Sequence, residues 1–273
     1  MMQKFTTSDG IQITYSDEGE GTPILCLAGL TRNGRDFDYV AAHLDARLIR
    51  MDYRGRGKSD WADPATYTIP REAQDAVELL DHLGLEKVAV LGTSRGGIIG
   101  MVLGVMAKER LLGIALNDIG PDIDPKGIEV IMNYLGRNPS WKTYDEAAQK
   151  RAAAMTGFSN VPLSRWREEV EKLYTETPDG LRITYDPKLR DAVEMSATGL
   201  TPDLWPMFDA LDGLPLAAIR GENSDILSTE TLNEMQHRRP DMRVAVVPDR
   251  AHIPFLDETE ALTALHNWLK DIA

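Results

Sequence analysis

The stretch that decides the fold is 87-KVAVLGTSRGGIIGMVLGVM-106, in which an apolar run leads into Gly92-Thr93-Ser94-Arg95-Gly96-Gly97. Val88, Val90 and Leu91 belong to a short run rich in β-branched residues, which predicts a buried parallel strand. A second apolar stretch, of helical length, follows the glycines at once. The segment therefore predicts a strand, a sharp turn and a helix, with Ser94 at the tip of the turn.

Two features of this turn favour a reactive Ser94. Gly92 and Gly96, two residues before and after it, let the strand and the helix pass close together, as in the Gly-x-Ser-x-Gly nucleophile elbow. The serine also precedes a helix N-terminus, where unpaired N–H groups and the positive end of the dipole stabilise a developing negative charge. The same pattern occurs in ordinary glycine-rich turns, so the interpretation depends on finding a base, an acid and an oxyanion site.

Composition and charge exclude several classes of partner. The 273 residues suffice for one large α/β domain or two small ones, with 42% hydrophobic and 27% charged residues, as in ordinary globular proteins. A net charge of −13 disfavours nucleic acid and anionic membranes. The chain has no apolar run long enough to span a membrane, and the start Met1-Met2-Gln3-Lys4 has no signal-peptide core. We therefore expect a cytoplasmic protein, as a monomer or a homodimer.

Cysteine chemistry and metals are not expected to contribute. The single cysteine, Cys26, cannot form an internal disulfide, and its place in the apolar run 24–28 predicts a buried, inert thiol. The sequence supports no zinc site, and we expect no cofactor.

Strand-like and helical patterns alternate through most of the chain. Strands are predicted within 5–15 and at 24–27, 47–51, 113–117, 216–220 and 243–247, and helices at 36–44, 70–83, 228–238 and 258–272. This alternation predicts an α/β fold with a mostly parallel sheet covered by helices on both faces.

The segment 120–206 differs from the rest, because prolines interrupt short helical patterns and strand-like runs almost vanish. We interpret it as a helical cap inserted into a core formed by residues 1–119 and 207–273; further helices packed on the main domain are the alternative. Aromatic residues concentrate there, and the candidates for substrate contact are Trp141, Tyr144, Phe158, Trp166 and Trp205. Packing within the cap would explain these aromatic residues equally well.

A serine hydroxyl is a weak nucleophile at neutral pH and needs a base oriented by a third group. Of the five histidines, His252 is predicted to lie in a loop just after a late strand, and we expect it to be the base. For the acid we favour Asp225, which follows the preceding strand, so that both side chains would project from carboxyl ends of neighbouring strands. Asp118, at the end of the strand after the elbow helix, is the rival, and Glu222 is a weaker alternative to Asp225.

An oxyanion formed at Ser94 needs preorganised donors. We expect the backbone N–H groups of Arg95, directly after the serine, and of Leu30, in the loop after the third strand. Gly29 allows that loop to aim the Leu30 N–H inward.

With these residues in place, the chain resembles the α/β-hydrolase superfamily with a helical cap, over essentially its whole length. The resemblance is carried by Ala28-Gly29-Leu30, the loop from Asp52 to Ser59, the elbow, Asp225 and His252. It implies an eight-stranded α/β-hydrolase sheet and a Ser-His-Asp triad. Two positions depart from the family pattern: Ala28 stands where a histidine is common, and Arg95 where an apolar residue or glutamine is usual.

Arg95 has two interpretations. The guanidinium either pairs with an acid, such as Asp118 or one from the cap, or clamps a substrate carboxylate.

The resemblance implies a serine hydrolase without a cofactor, and we expect a carboxylesterase acting on small or medium acyl esters. A serine at the elbow argues against haloalkane dehalogenases and epoxide hydrolases, which need a carboxylate there. Lactone hydrolysis and cleavage of C–C bonds by the same triad stay open, as does a ligand receptor with slow turnover.

Overall fold

The structure is a computed structural model that describes residues 1–196 and 203–272. Its strands are β1 Met2–Thr6, β2 Gln12–Glu18, β3 Pro23–Leu27, β4 Arg47–Met51, β5 Val88–Thr93, β6 Leu111–Asn117, β7 Tyr174–Thr177, β8 Gly180–Ile183, β9 Leu216–Gly221 and β10 Arg243–Val247. Its α-helices are α1 Asp38–Ala41, α2 Ile69–His82, α3 Arg95–Met106, α4 Pro125–Tyr134, α5 Tyr144–Ala154, α6 Leu163–Leu173, α7 Leu189–Ser196, α8 Trp205–Asp209, α9 Thr229–Arg238 and α10 Thr259–Ile272.

Eight strands form one sheet in the order β1-β2-β4-β3-β5-β6-β9-β10. β2 pairs antiparallel with β1 and β4, and every other neighbouring pair is parallel. The predicted mostly parallel eight-stranded sheet is therefore confirmed. Because parallel strands end at the same edge, the carboxyl ends of β3, β5, β6, β9 and β10 bring their following loops together.

Both faces of the sheet are covered, as expected for strands that are apolar throughout. One apolar cluster joins the sheet to residues of α2, α3 and α8, including the fully buried Leu79, Ile99 and Phe208. On the opposite face, α10 packs through Trp268, which is also fully buried. Cys26 lies within this second cluster, where burial raises the pKa of its thiol to about 12.

A long insertion separates β6 from its neighbour β9. It contains α4 to α7, the antiparallel hairpin β7–β8, and α8, which packs against α3. The sequence pattern missed the hairpin because its strands are only four residues each and carry charged residues at exposed positions. The predicted cap, 120–206, includes residues 197–202, which lie outside the described part of the chain.

The predicted strands at 47–51 and 243–247 coincide with β4 and β10, whereas the helix predicted at 36–44 is much shorter than expected. A 3-10 turn at Gly34–Phe37, capped by the side chain of Asn33, precedes the single turn of α1. Among the described helices, none has both the length and the hydropathy to cross a bilayer.

Candidate active site

The turn between β5 and α3 has the strained geometry that the glycine pattern predicts. Ser94 has φ 51° and ψ −118°, a conformation that non-glycine residues rarely adopt. A Cβ on Gly92 would lie 2.5 Å from the carbonyl oxygen of Gly96, and a Cβ on Gly96 would collide with the carbonyl oxygen of Leu27. Both positions therefore require glycine, because α3 starts directly against the strands below it.

His252 connects Ser94 to a carboxylate. Its Nε2 lies 3.0 Å from the Ser94 Oγ, and its Nδ1 lies 2.7 Å from Oδ2 of Asp118. The histidine follows β10, so it reaches Ser94 from across the carboxyl edge of the sheet. With Nδ1 donating to the carboxylate, Nε2 is the acceptor that can take the serine proton.

The carboxylate at His252 is Asp118, and the expectation of Asp225 is corrected. Asp225 is exposed in the loop after β9, and Glu222, the weaker alternative, is exposed too, with Oε2 accepting from the Asp249 N–H at 3.2 Å. The loop after β9 does reach the site, but it presents Ser224 there, whose hydroxyl donates to Oδ2 of Asp118 at 2.7 Å.

Asp118 is held in place by its surroundings. It directly follows β6 with φ 56°, its N–H donates to the Ile219 carbonyl at 2.7 Å, and its side chain has no exposed surface. Oδ1 accepts from the Gly221 N–H at 2.8 Å, in addition to the bonds from Ser224 and His252 to Oδ2. Three donors thus compensate a buried negative charge, as a carboxylate in a protein interior requires.

The loop expected to supply an oxyanion donor lies beside the serine. A Cβ on Gly29 would be 3.8 Å from the Ser94 Cβ, and Leu30 lines the same cleft as Ser94. Arg95 is the first residue of α3, where a backbone N–H has no partner within the helix. The role of both N–H groups stays a prediction.

Two side chains brace this loop in a chain that has Ala28 in place of the usual histidine. The Tyr53 hydroxyl donates to the Ala28 carbonyl at 3.0 Å, and Nε of Arg56 donates to the Leu30 carbonyl at 3.0 Å. Both come from the glycine-punctuated loop after β4, so that loop has a structural role at the site.

The Arg95 side chain points away from the cleft. Its Nε donates to Glu72 at 2.6 Å and an NH2 group to the Tyr67 carbonyl at 3.1 Å. Glu72 is fully buried and also pairs with Arg56 at 2.8 Å. The pairing interpretation of Arg95 is therefore the correct one, although the partner lies on α2 and is neither Asp118 nor a cap residue.

A cleft of about 780 Å³, counting its mouth, opens above Ser94 and His252. Of the five aromatic candidates, Phe158 and Trp166 line it, with their ring centroids 5.4 Å apart. The other three lie elsewhere and are withdrawn as substrate contacts: Trp141 packs edge-on against Tyr174, the Tyr144 hydroxyl donates to the Tyr174 carbonyl, and Trp205 packs against Phe208 in the main core.

Sequence reasoning missed a charged wall of the cleft formed by Arg32, Asp36, Arg151 and Glu169. Arg32 donates to Asp36 at 2.6 Å and to Glu169 at 2.7 Å, which ties the loop after β3 to α6. Burial opposes ionisation of Glu169, but Arg32 and Lys172 outweigh burial and lower the pKa of Glu169 to about 2. Arg32, two residues after Leu30, and Asp36, four residues further on, are close together in the sequence, whereas Arg151 and Glu169 are distant along the chain.

No group of histidine, cysteine or acidic side chains suited to a metal ion occurs within residues 1–196 and 203–272. In chemical terms, the described site combines a serine hydroxyl, an imidazole in contact with it and with a buried carboxylate, and an open cleft above them.

A family model described as "Alpha/beta hydrolase family" matches residues 24–265, which include every element of the site. The chain belongs to the alpha/beta hydrolase family. This α/β hydrolase is 36% identical over 263 residues to a 3-hydroxybutyrate-oligomer hydrolase of Cupriavidus necator, covering 92% of this chain and 89% of the relative. It is 25% identical to a 2-(acetamidomethylene)succinate hydrolase of Mesorhizobium japonicum, over 89% and 85% of the two chains.

Among solved structures, an α/β hydrolase from Novosphingobium aromaticivorans is similar to this α/β hydrolase with a TM-score of 0.92 and 35% identity. The match covers 99% of this chain and 98% of the other. The family, the fold and the hydrolase character of named relatives are thus in agreement with the expectations from the elbow sequence.

Proposed function

We propose that this protein is a serine hydrolase that cleaves small carboxylic esters through an acyl-enzyme. The observation that carries the proposal is the continuous contact from Ser94 Oγ through His252 to Asp118 at the base of the cleft. We further propose that residues 120–206 form the cap that closes this cleft.

In the proposed mechanism, His252 Nε2 takes the proton as Ser94 Oγ attacks the ester carbonyl. The backbone N–H groups of Leu30 and Arg95 stabilise the oxyanion, and each lowers the activation barrier by about 3 kcal/mol. His252 then protonates the leaving alcohol, and the acyl-enzyme is attacked by a water that gives its proton to His252. His252 returns this proton to Ser94 Oγ as the carboxylic acid is released. Asp118 holds the imidazole tautomer and stabilises the imidazolium that forms twice in the cycle.

The choice of ester over other bonds is supported by the 3-hydroxybutyrate-oligomer hydrolase, with 36% identity over 92% of this chain. Units of a hydroxy acid join through ester bonds, so this relative's substrate is an oligoester. The linear dimer of 3-hydroxybutyrate is therefore a rational first substrate, because it has one internal ester and fits a small cleft.

The proposal is tested by incubating the wild type and Ser94→Ala with a fluorophosphonate probe and with a substrate panel. The panel contains p-nitrophenyl esters, the 3-hydroxybutyrate dimer, lactones and vinylogous diketones. We expect labelling of the wild type only, and many turnovers on esters. Labelling without turnover on esters would contradict the esterase proposal. Cleavage of a lactone or a diketone would then identify the bond that is hydrolysed, and no cleavage of any substrate would favour a receptor.

A further inference from the structure

Arg151 differs from the other charged residues of the cleft. It lies in the last turn of α5, three and four residues after Ala148 and Ala147, whose buried side chains pack in the cap. This spacing places Arg151 on the inner face of the helix, and it lines the cleft together with Met155, one turn further on.

The guanidinium of Arg151 makes no hydrogen bond or ion pair in the described part of the chain, although its charge contributes to the lowered pKa of Glu169. Its Nε is buried without a hydrogen bond, and no described carboxylate forms an ion pair with it. In contrast, Arg32 on the same wall is engaged by Asp36 and Glu169. A buried donor left without an acceptor costs about 1–3 kcal/mol, so the site is suited to an acceptor that arrives from outside.

Glu169, the carboxylate of α6 on this wall, is already engaged at both oxygens, and Asp36 is engaged at Oδ2 by Arg32, while its Oδ1 makes no hydrogen bond. One oxygen of Glu169 accepts from Arg32 at 2.7 Å and the other from Lys172 at 3.3 Å. The charges of Arg32 and Arg151 along the cleft wall are balanced by those of Asp36 and Glu169, so the wall as a whole is neutral. Arg32 contacts both carboxylates, which leaves the guanidinium of Arg151 without an ion-pair partner among the described residues.

We propose that Arg151 binds a carboxylate of the substrate, and that the ester cleaved at Ser94 therefore belongs to an anionic molecule. The second part rests on the proposed function. A planar guanidinium matches a carboxylate with two parallel N–H···O bonds, and the partly dehydrated cleft strengthens them. The sequence suggested a carboxylate clamp at Arg95. We place that clamp instead at Arg151, 56 residues later in the proposed cap.

The test measures binding separately from catalysis. In a Ser94→Ala background, calorimetry compares the 3-hydroxybutyrate dimer as the free carboxylate with the same dimer as its carboxamide. We expect the carboxylate to bind about 10- to 100-fold more tightly, as for a charge-assisted pair. Arg151→Gln should abolish this preference and Arg151→Lys should retain part of it, since lysine keeps the charge but not the fork.

Lys150→Gln is the matched control, because it removes the same charge from the adjacent, exposed position of α5. It should leave the preference unchanged. The proposal is overturned if Arg151→Gln keeps the preference, if carboxylate and carboxamide bind equally, or if neither binds. Turnover by the wild type decides the proposed function independently: an inactive wild type whose Ser94→Ala form prefers the carboxylate would refute the esterase and leave the Arg151 site intact.

Discussion

Ser94 and Asp118 both adopt positive φ, and in both cases the conformation aims a side chain at His252. Such backbone angles cost about 1–3 kcal/mol in a non-glycine residue and persist when the surroundings enforce them. For Asp118 the surroundings are the Ile219 carbonyl and the donors Gly221 and Ser224. The carboxylate is therefore fixed before any substrate arrives.

The proposed role of Asp118 as the acid of the triad can be tested by substitution. Asp118→Asn should lower kcat by about 10³- to 10⁴-fold, because an amide cannot hold the imidazole in the required tautomer or stabilise the imidazolium. Asp225→Asn, at an exposed position, should change kcat less than about twofold. Steady-state kinetics on the best ester, with unfolding curves to check that both variants fold, measure the difference. A larger loss in Asp225→Asn would show that the contact to His252 is not the catalytic one.

At the level of secondary structure, the position of α3 depends on how its first turn packs against β3. The helix starts so close to β3 that Gly96 has no room for a Cβ, whereas a Cβ on Gly100, one turn later, would meet Val90 and Ile114 at ordinary distances of 3.4 and 3.5 Å. The nucleophile position is thus a consequence of how tightly the helix packs on the sheet.

Gly96→Ala should lower the free energy of unfolding by about 3 kcal/mol or more, because a backbone carbonyl cannot move aside as a flexible side chain can. Gly100→Ala, the control in the same helix, should change it by no more than about 1 kcal/mol, since alanine has the higher helix propensity. Urea denaturation followed by circular dichroism measures both. Equal stability of the two variants would refute the close packing at Gly96.

In the whole molecule, the insertion between β6 and β9 is joined to the sheet near the site by a buried ion pair. Arg32, in the loop after β3, pairs with Glu169 on α6, and both side chains are almost buried. The same loop carries Leu30. Through this pair, the insertion contacts the loop that is proposed to supply an oxyanion donor.

Arg32→Met should destabilise the protein by about 3–5 kcal/mol, because Asp36 and Glu169 would keep buried charge without their shared partner. Arg35→Met, in the same segment but exposed, should have little effect because its pair with Asp38 is solvated. Thermal and urea unfolding compare the two. We also expect kcat to fall in Arg32→Met, and a normal kcat would show that the contact between the insertion and the loop after β3 does not influence the proposed oxyanion donor.

Local patterns sufficed for much of the fold. Short runs rich in apolar residues predicted the strands, and β4 and β10 have the predicted ends. The elbow could also be predicted, because a strained strand-to-helix turn needs small residues at fixed spacing. His252 could be predicted because it was the histidine placed in a loop after a late strand. These properties depend on residues close to each other along the chain.

The sequence did not predict which side chains, distant along the chain, contact each other. Asp118 and Asp225 each follow a strand of the same edge, and only the turn after β9 decides that Ser224 faces inward while Asp225 faces solvent. In the same way, Arg95 pairs with Glu72, 23 residues earlier, whereas Arg151 forms no ion pair with a carboxylate among the described residues.

The amino-acid sequence by itself thus determined the sheet and the elbow, and it proposed Ser94 and His252 as nucleophile and base. The tertiary structure alone decided which carboxylate contacts His252, which group pairs with Arg95, and that Arg151 forms no ion pair within the described residues. The physical reason is that hydrophobic periodicity and turn chemistry act over a few residues, whereas the direction of a charged side chain is set by hydrogen bonds to groups that only folding brings within reach.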